Sequence, residues 1–228
     1  MIAKPKKINK KEMKEDSLVT GYYKSREFYE EYQKHIFITL GAIAVIVVAI
    51  GLYVNRMETQ NAEAAVAIAK VLPLYEQGSY VEAADGREGT DILGFKKIAD
   101  EYGGTDQGEI ARVYAANSLY YSGKYDEALE YYKDYSGDDP LFVATSIAGE
   151  AAITEMNNNN EKAGSLYEKA ARVTQENPMN AYYYLHAAIN YRKAGETEKA
   201  AKLYKLLKDE YKTAQETREA EKYLAGLE

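Results

Sequence analysis

Apolar residues recur every three or four positions along most of this chain, but one stretch abandons that alternation. Residues 36–54, reading IFITLGAIAVIVVAIGLYV, run for nineteen positions without a charge or a proline. At ~1.5 Å of rise per residue they make roughly 28 Å of helix, close to the ~30 Å of bilayer hydrocarbon. Thirty-five residues precede the run, and Asn55-Arg56-Met57-Glu58 follows it without a small-residue cleavage pattern. That layout predicts an uncleaved transmembrane helix rather than a signal peptide. Tyr53 suits the interfacial belt, and His35 and Arg56 bracket the apolar run.

Beyond Asn61 the pattern changes to amphipathic, helix-length segments separated by short turns. The segments repeat. An alanine four residues before a tyrosine recurs as Ala128/Tyr132, Ala163/Tyr167 and Ala200/Tyr204, at intervals of 35 and 37 residues. Each pair follows a turn: Ser122-Gly123-Lys124-Tyr125, the Asn157–Asn160 run, and Ala194-Gly195-Glu196-Thr197. An earlier copy begins at Gln77-Gly78-Ser79-Tyr80, with Ala83 in the alanine slot.

These residues resemble the tetratricopeptide repeat, a helix–turn–helix unit. YYSGKYDEALEYYKDYSGDDP is the best copy: Gly123 permits a tight turn, Ala128 lets two helices approach, Tyr132 fills the space between them, and Pro140 ends the unit. YRKAGETEKAAKLYKLL is nearly as good. In EMNNNNEKAGSLYEKAARVTQENP, asparagines replace the turn glycine and the aromatic after it. The expected fold is all-α: one transmembrane helix, then a tetratricopeptide-repeat-like α-solenoid over residues 55–228.

Two features depart from a regular array. The interval from Ala83 to Ala128 is 45 residues, so about ten are inserted near 85–94. The insertion reads either as a partner-contacting loop or as a tolerated surface addition. Residues 214–227 read as a polar capping helix, with Tyr223, Leu224 and Leu227 on one side, covering the last repeat.

Composition adds direction. Residues 1–35 hold nine Lys/Arg against six acids, whereas the remainder carries a net charge of −10. The basic excess beside the apolar run puts the N-terminal tail in the cytoplasm and the large domain outside. In a bacterium the outside is the periplasm; in a eukaryote it would be a lumen. The tail's lysines read as topology determinants or as contacts with anionic headgroups. The acidic domain argues against nucleic-acid binding.

The whole layout resembles one family, the YfgM-like ancillary subunits of the Sec translocon, with members from Bacteroidetes-type bacteria nearest. The resemblance covers the lysine-rich start, the anchor, and the soluble domain through Gly94-Phe95-Lys96-Lys97-Ile98-Ala99-Asp100-Glu101-Tyr102. It implies a single-pass inner-membrane protein associated with translocon subunits, periplasmic chaperones or exported chains. The alternative is an envelope scaffold for cell-wall or outer-membrane assembly, without translocon contact. Self-association through a terminal helix is a further option.

Chemistry is sparse. With no cysteine there is no thiol nucleophile or disulfide framework. His35 and His186 fall in no ligand spacing, no G-x-S-x-G occurs, and Gly86, Gly89, Gly103 and Gly104 lack the G-K-[ST] of a phosphate loop. Asp138-Asp139 reads as a solvated turn. The chain is expected to be no enzyme and to carry no cofactor or metal. What remains is a binding wall built from the first helix of each repeat: Ala65, Ile68, Leu72 and Tyr75; Ile110, Val113, Asn117 and Tyr120; Thr145, Ala148, Ala152 and Glu155; and Tyr182, Leu185, Ile189 and Arg192. Some of these apolar residues are equally suited to packing between helices. Tyr75, Asn117, Tyr120, Tyr182 and Arg192 are the leading groove candidates for an extended peptide.

Overall fold

A computed structural model describes residues 10–225. Its contacts divide the chain into two compact units, Met1–Arg56 and Met57–Glu228. The first helix, α1, runs from Lys10 to Glu76 and supplies residues to both. The lysines at positions 4, 6 and 7 of the expected basic tail lie outside the described residues.

In the first unit, α1 is continuous through the expected polar stretch and the apolar run. The helix is long and apolar enough to cross a membrane, and its apolar window is wholly uncovered by protein. Ile38, Val45 and Leu52 are each close to 70% exposed. In water such a surface would be strongly unfavourable; against acyl chains it is not.

The second unit is an α-solenoid of helix hairpins. The end of α1 pairs with α2 (Tyr80–Asp85) and α3 (Phe95–Glu101). Next come α4 (Asp106–Tyr121) with α5 (Tyr125–Lys133), α6 (Pro140–Met156) with α7 (Asn160–Ala171), and α8 (Asn180–Lys193) with α9 (Thr197–Glu210). The last helix, α10 (Gln215–Ala225), packs on α9 and α8. It lies within the span expected for the cap, with Tyr223 against Tyr204; the side chain of Leu224 and all of Leu227 lie outside the described residues.

The periodic positions do what their sizes require. Ala83, Ala128, Ala163 and Ala200 are all fully buried at helix contacts. Tyr132, Tyr167 and Tyr204 fill the adjoining space and are at most 6% exposed. Tyr132 lies flat against Gly149 of α6, where an added Cβ would stand 2.2 Å from the ring.

Every intrahairpin turn uses the same device. Gly78, Gly123, Asn158 and Gly195 all have positive φ. In the second hairpin, Gly123 N–H donates to the Tyr120 carbonyl at 3.0 Å and Lys124 N–H to the Leu119 carbonyl at 2.9 Å. The other three turns repeat this pair of bonds, which satisfies helix C-terminal carbonyls. Asparagine replaces glycine in the third copy because its short polar side chain tolerates the left-handed region.

One expectation needs correction. Pro140 does not end a unit; it opens α6 at the first helical position, where a missing N–H costs nothing. Asp139 before it is the cap, its Oδ1 accepting from Leu141 N–H at 2.8 Å. Asp139→Ala is expected to destabilise the protein by about 1 kcal/mol, read as a lowered melting temperature with unchanged helicity. The inserted segment is a loop, non-helical over residues 86–94 and exposed over 87–91. It separates α2 from α3, whose Phe95, Ile98 and Ala99 are fully buried.

Candidate protein-binding surface

Three hairpins contribute tyrosines to one face of the solenoid. Tyr75 comes from the end of α1, Asn117, Tyr120 and Tyr121 from α4, and Tyr182 and His186 from α8. Tyr75 makes edge contacts with Tyr80, Tyr114 and Phe95, at ring separations of 5.5, 5.2 and 6.1 Å. Tyr80 stacks on Tyr121 at 4.8 Å, and Tyr120 meets Tyr121 and Tyr125 edge-on. Tyr182 lies 4.1 Å from His186, which also touches Tyr167 at 5.3 Å. The rings lock one another in place, so presenting them to a ligand costs little side-chain entropy.

The hydroxyls converge as well as the rings. Tyr132 Oη donates to Asn117 Oδ1 at 2.6 Å. Burial, and then the nearness of Tyr121, Tyr80 and Tyr114, pushes the Tyr75 hydroxyl up to about 12. Burial also raises Tyr120 and Tyr182, with Glu155 and neighbouring tyrosines adding to the shift. These hydroxyls therefore stay protonated throughout neutral pH, as hydrogen-bond donors with free acceptor capacity.

One carboxylate sits among them. Glu155, at the end of α6, has His186 Nδ1 at 3.7 Å and accepts from Lys193 Nζ at 2.7 Å. The contacts of His186 and then Lys193 hold its carboxyl down at about 2, against the opposing effect of partial burial. A folded pKa below the unfolded value means that ionised Glu155 stabilises the fold above its unfolded pKa. That contribution fades as pH falls through the folded value. Between about pH 4.5 and 2 the wild type is thus expected to lose stability more steeply than Glu155→Gln. Thermal unfolding of the two proteins across that range reads the difference; parallel curves would remove Glu155 from the account.

Four of the five leading candidates, Tyr75, Asn117, Tyr120 and Tyr182, are half-buried on this face. Arg192 is not among them. It stands at the end of α8, where α10 docks, and its guanidinium lies 4.4 Å above the Tyr223 ring. The aromatic face of the cap draws it there. Within the expected wall, Ile68, Val113, Ala148 and Leu185 are core residues, at most 8% exposed. They pack between helices because apolar groups on these helices are covered by the neighbouring hairpin. His186 and Tyr121 were missed. A His lying between Tyr182 and Asn190 on one helical face, and a second tyrosine beside Tyr120, were the available signals.

A second concavity lies between the end of α1 and the inserted segment. This cleft of about 430 Å³ is lined by Ala62, Val66, Ala67, Leu93 and Tyr102. Lys70 Nζ and Asp91 close its rim with an ion pair of 2.6 Å.

Compared with known protein families and with curated proteins, the chain matches none.

Proposed function

We propose that this protein is a membrane-anchored, tetratricopeptide-repeat-like adaptor that binds extended protein segments on its tyrosine face. The observation that carries this reading is the convergence of Tyr75, Asn117, Tyr120 and Tyr182, from three separate hairpins, on one surface. An extended chain presents side chains and unpaired backbone groups together. Fixed tyrosine rings receive the former, and hydroxyls with Asn117 bond the latter.

The apolar part of α1 is the anchor, with the N-terminus cytoplasmic and the solenoid outside, in the periplasm of a bacterium. Anchoring confines the tyrosine face near the membrane, so weak intrinsic affinity acts at high local concentration. The resemblance in layout to ancillary Sec subunits makes exported chains, periplasmic chaperones and translocon subunits the expected partners.

Purification of the full chain in mild detergent, with identification of co-purifying proteins, tests this reading. Translocon subunits and exported chains are expected, and Tyr120→Ala/Tyr182→Ala should lose the exported chains while keeping its helicity. Recovery of wall-synthesis proteins alone would support the envelope scaffold instead. Cleavage after Val54 should release a folded domain with weakened partner association. Equal recovery by the free domain would remove the role given to the anchor.

A further inference from the structure

The part of α1 before the apolar run has a face that nothing in its own unit covers. Tyr22, Phe28, Tyr29 and Tyr32 are each more than 40% exposed on a continuous helix. Counted in sevens from Tyr22, they fall on a single stripe. Tyr22, Ser25, Tyr29 and Tyr32 take the two core positions of a coiled-coil heptad, and Phe28 and His35 flank them on one side. The six charged residues over this stretch, Lys24, Arg26, Glu27, Glu30, Glu31 and Lys34, all avoid these positions. Aromatic contacts run along the stripe, from Phe28 to Tyr32 at 4.8 Å and from Tyr32 to His35 at 6.3 Å.

The same seven-residue count continues through the apolar run without a shift. It passes Ile36, Thr39, Ile43, Ile46, Ile50 and Tyr53. Residues 36–54 contain only two hydroxyl side chains, Thr39 and Tyr53, and both lie on the stripe. Ala42 and Ala49 occupy the flanking position taken outside by Phe28 and His35, and small residues there allow close approach in lipid. Gly41 and Gly51 face away. The shared phase is independent of the charge pattern, because it comes from residues that carry no charge.

We propose that this stripe, from Tyr22 to Tyr53, is a seam on which a second copy of the same chain packs in parallel. The proposal rests on the reading of residues 36–54 as membrane-spanning. Copies inserted in the same direction are parallel and have their apolar runs at one depth, so the seam faces itself in register. Arg26 is the one charged residue beside the seam, and it is neutralised on its own helix by Glu30 at 2.8 Å, so no like charges oppose each other. The bilayer surface is the competing occupant. It does not suit a stripe that continues unbroken into the spanning helix, since one continuous helix without a break at the junction does not both lie in the interface and cross the membrane. The seam extends for roughly 47 Å at ~1.5 Å per residue, with hydroxyl groups at Ser25, Tyr32, Thr39 and Tyr53 available for interhelical hydrogen bonds.

The chain contains no cysteine, so single cysteines can be placed without a background. Full-length Tyr22→Cys, Ser25→Cys, Tyr29→Cys, Tyr32→Cys and Thr39→Cys are oxidised in membranes, beside Lys24→Cys, Glu27→Cys, Glu31→Cys and Lys34→Cys. Disulfide-linked dimer is expected several-fold more at the first set, with a period of about 3.5 residues. Crosslinking without phase, a maximum on the charged face, or no crosslinking with monomeric mass in detergent overturns the proposal. So does capture of a different protein on the seam. Alkaline extraction of the same membranes reports separately on the span, so failure of the anchor and failure of the seam are distinguishable.

Discussion

Gly94→Ala is expected to unfold the first hairpin far more readily than its size suggests. Gly94 and Gly86 face each other where the inserted segment leaves and re-enters the helix layer. Both have positive φ, of 81° and 87°. A Cβ on Gly94 would stand 2.2 Å from the Gly86 nitrogen and 2.6 Å from the Asp85 carbonyl carbon. A Cβ on Gly86 would stand 2.6 Å from the Ile92 and Leu93 carbonyl oxygens. These neighbours are backbone, so no rotamer change relieves the overlap. With ψ of 152°, Gly94 lies in an extended positive-φ region that essentially only glycine occupies, where a side chain costs about 1–3 kcal/mol, and overpacking adds about 1–3 kcal/mol. A loss of roughly 2–6 kcal/mol follows from the two together. Gly89→Ala separates the contributions, because Gly89 also has positive φ, of 76°, with nothing within 4 Å of its Cβ position. Denaturant unfolding of both variants should show Gly94→Ala to be clearly the worse. Equal losses would mean that the backbone crossing relaxes and that only φ matters.

Phe95→Ala is expected to damage stability and binding together. Phe95 is fully buried, stacked at 5.0 Å on Tyr114 and edge-on to Tyr75 at 6.1 Å. Truncating a buried phenylalanine costs about 3–5 kcal/mol. The cavity would lie directly beneath Tyr75, so the first ring of the proposed binding face should lose its fixed position. Affinity for an extended peptide should therefore fall in a variant still folded at low temperature. Phe95→Leu should recover most of the stability but less of the binding, because a leucine fills volume without presenting a flat face to Tyr114. Calorimetric unfolding and peptide titration on the same samples read the two effects. Full binding in folded Phe95→Ala would detach Tyr75 from the groove.

These two residues also explain where sequence reasoning stopped. The repeat register was legible because it is local and chemically forced. A small residue is needed where two helices touch, a large ring where they diverge, and a residue tolerant of positive φ at each turn. Ala128, Tyr132 and Gly123 announce those needs within ten positions. The long apolar helix was legible for the same reason, since nineteen residues without a charge or a proline read as one unbroken helical run. The role of the insertion was not legible. Gly94 and Phe95 look like any glycine and phenylalanine near a turn. Their importance comes from Gly86, Tyr75 and Tyr114, which are brought to them by the fold.

The tyrosine face divides the same way. Helical spacing alone gathered Tyr75, Asn117, Tyr120 and Tyr182, because the first helices of successive hairpins share one orientation. It also gathered Val113 and Leu185, which the neighbouring helices bury, and Arg192, which the cap turns aside to Tyr223. Periodicity states which residues share a side of one helix. Only tertiary packing decides which of them another helix covers, and that depends on partners tens of residues away. The sequence by itself determined the long apolar helix, the all-helical hairpins and their turns, because these follow from interactions a few residues apart. The tertiary structure decided the packing of the short helix α3 that follows the insertion, the placing of Glu155 beside His186 and Lys193, and which tyrosines reach the surface together.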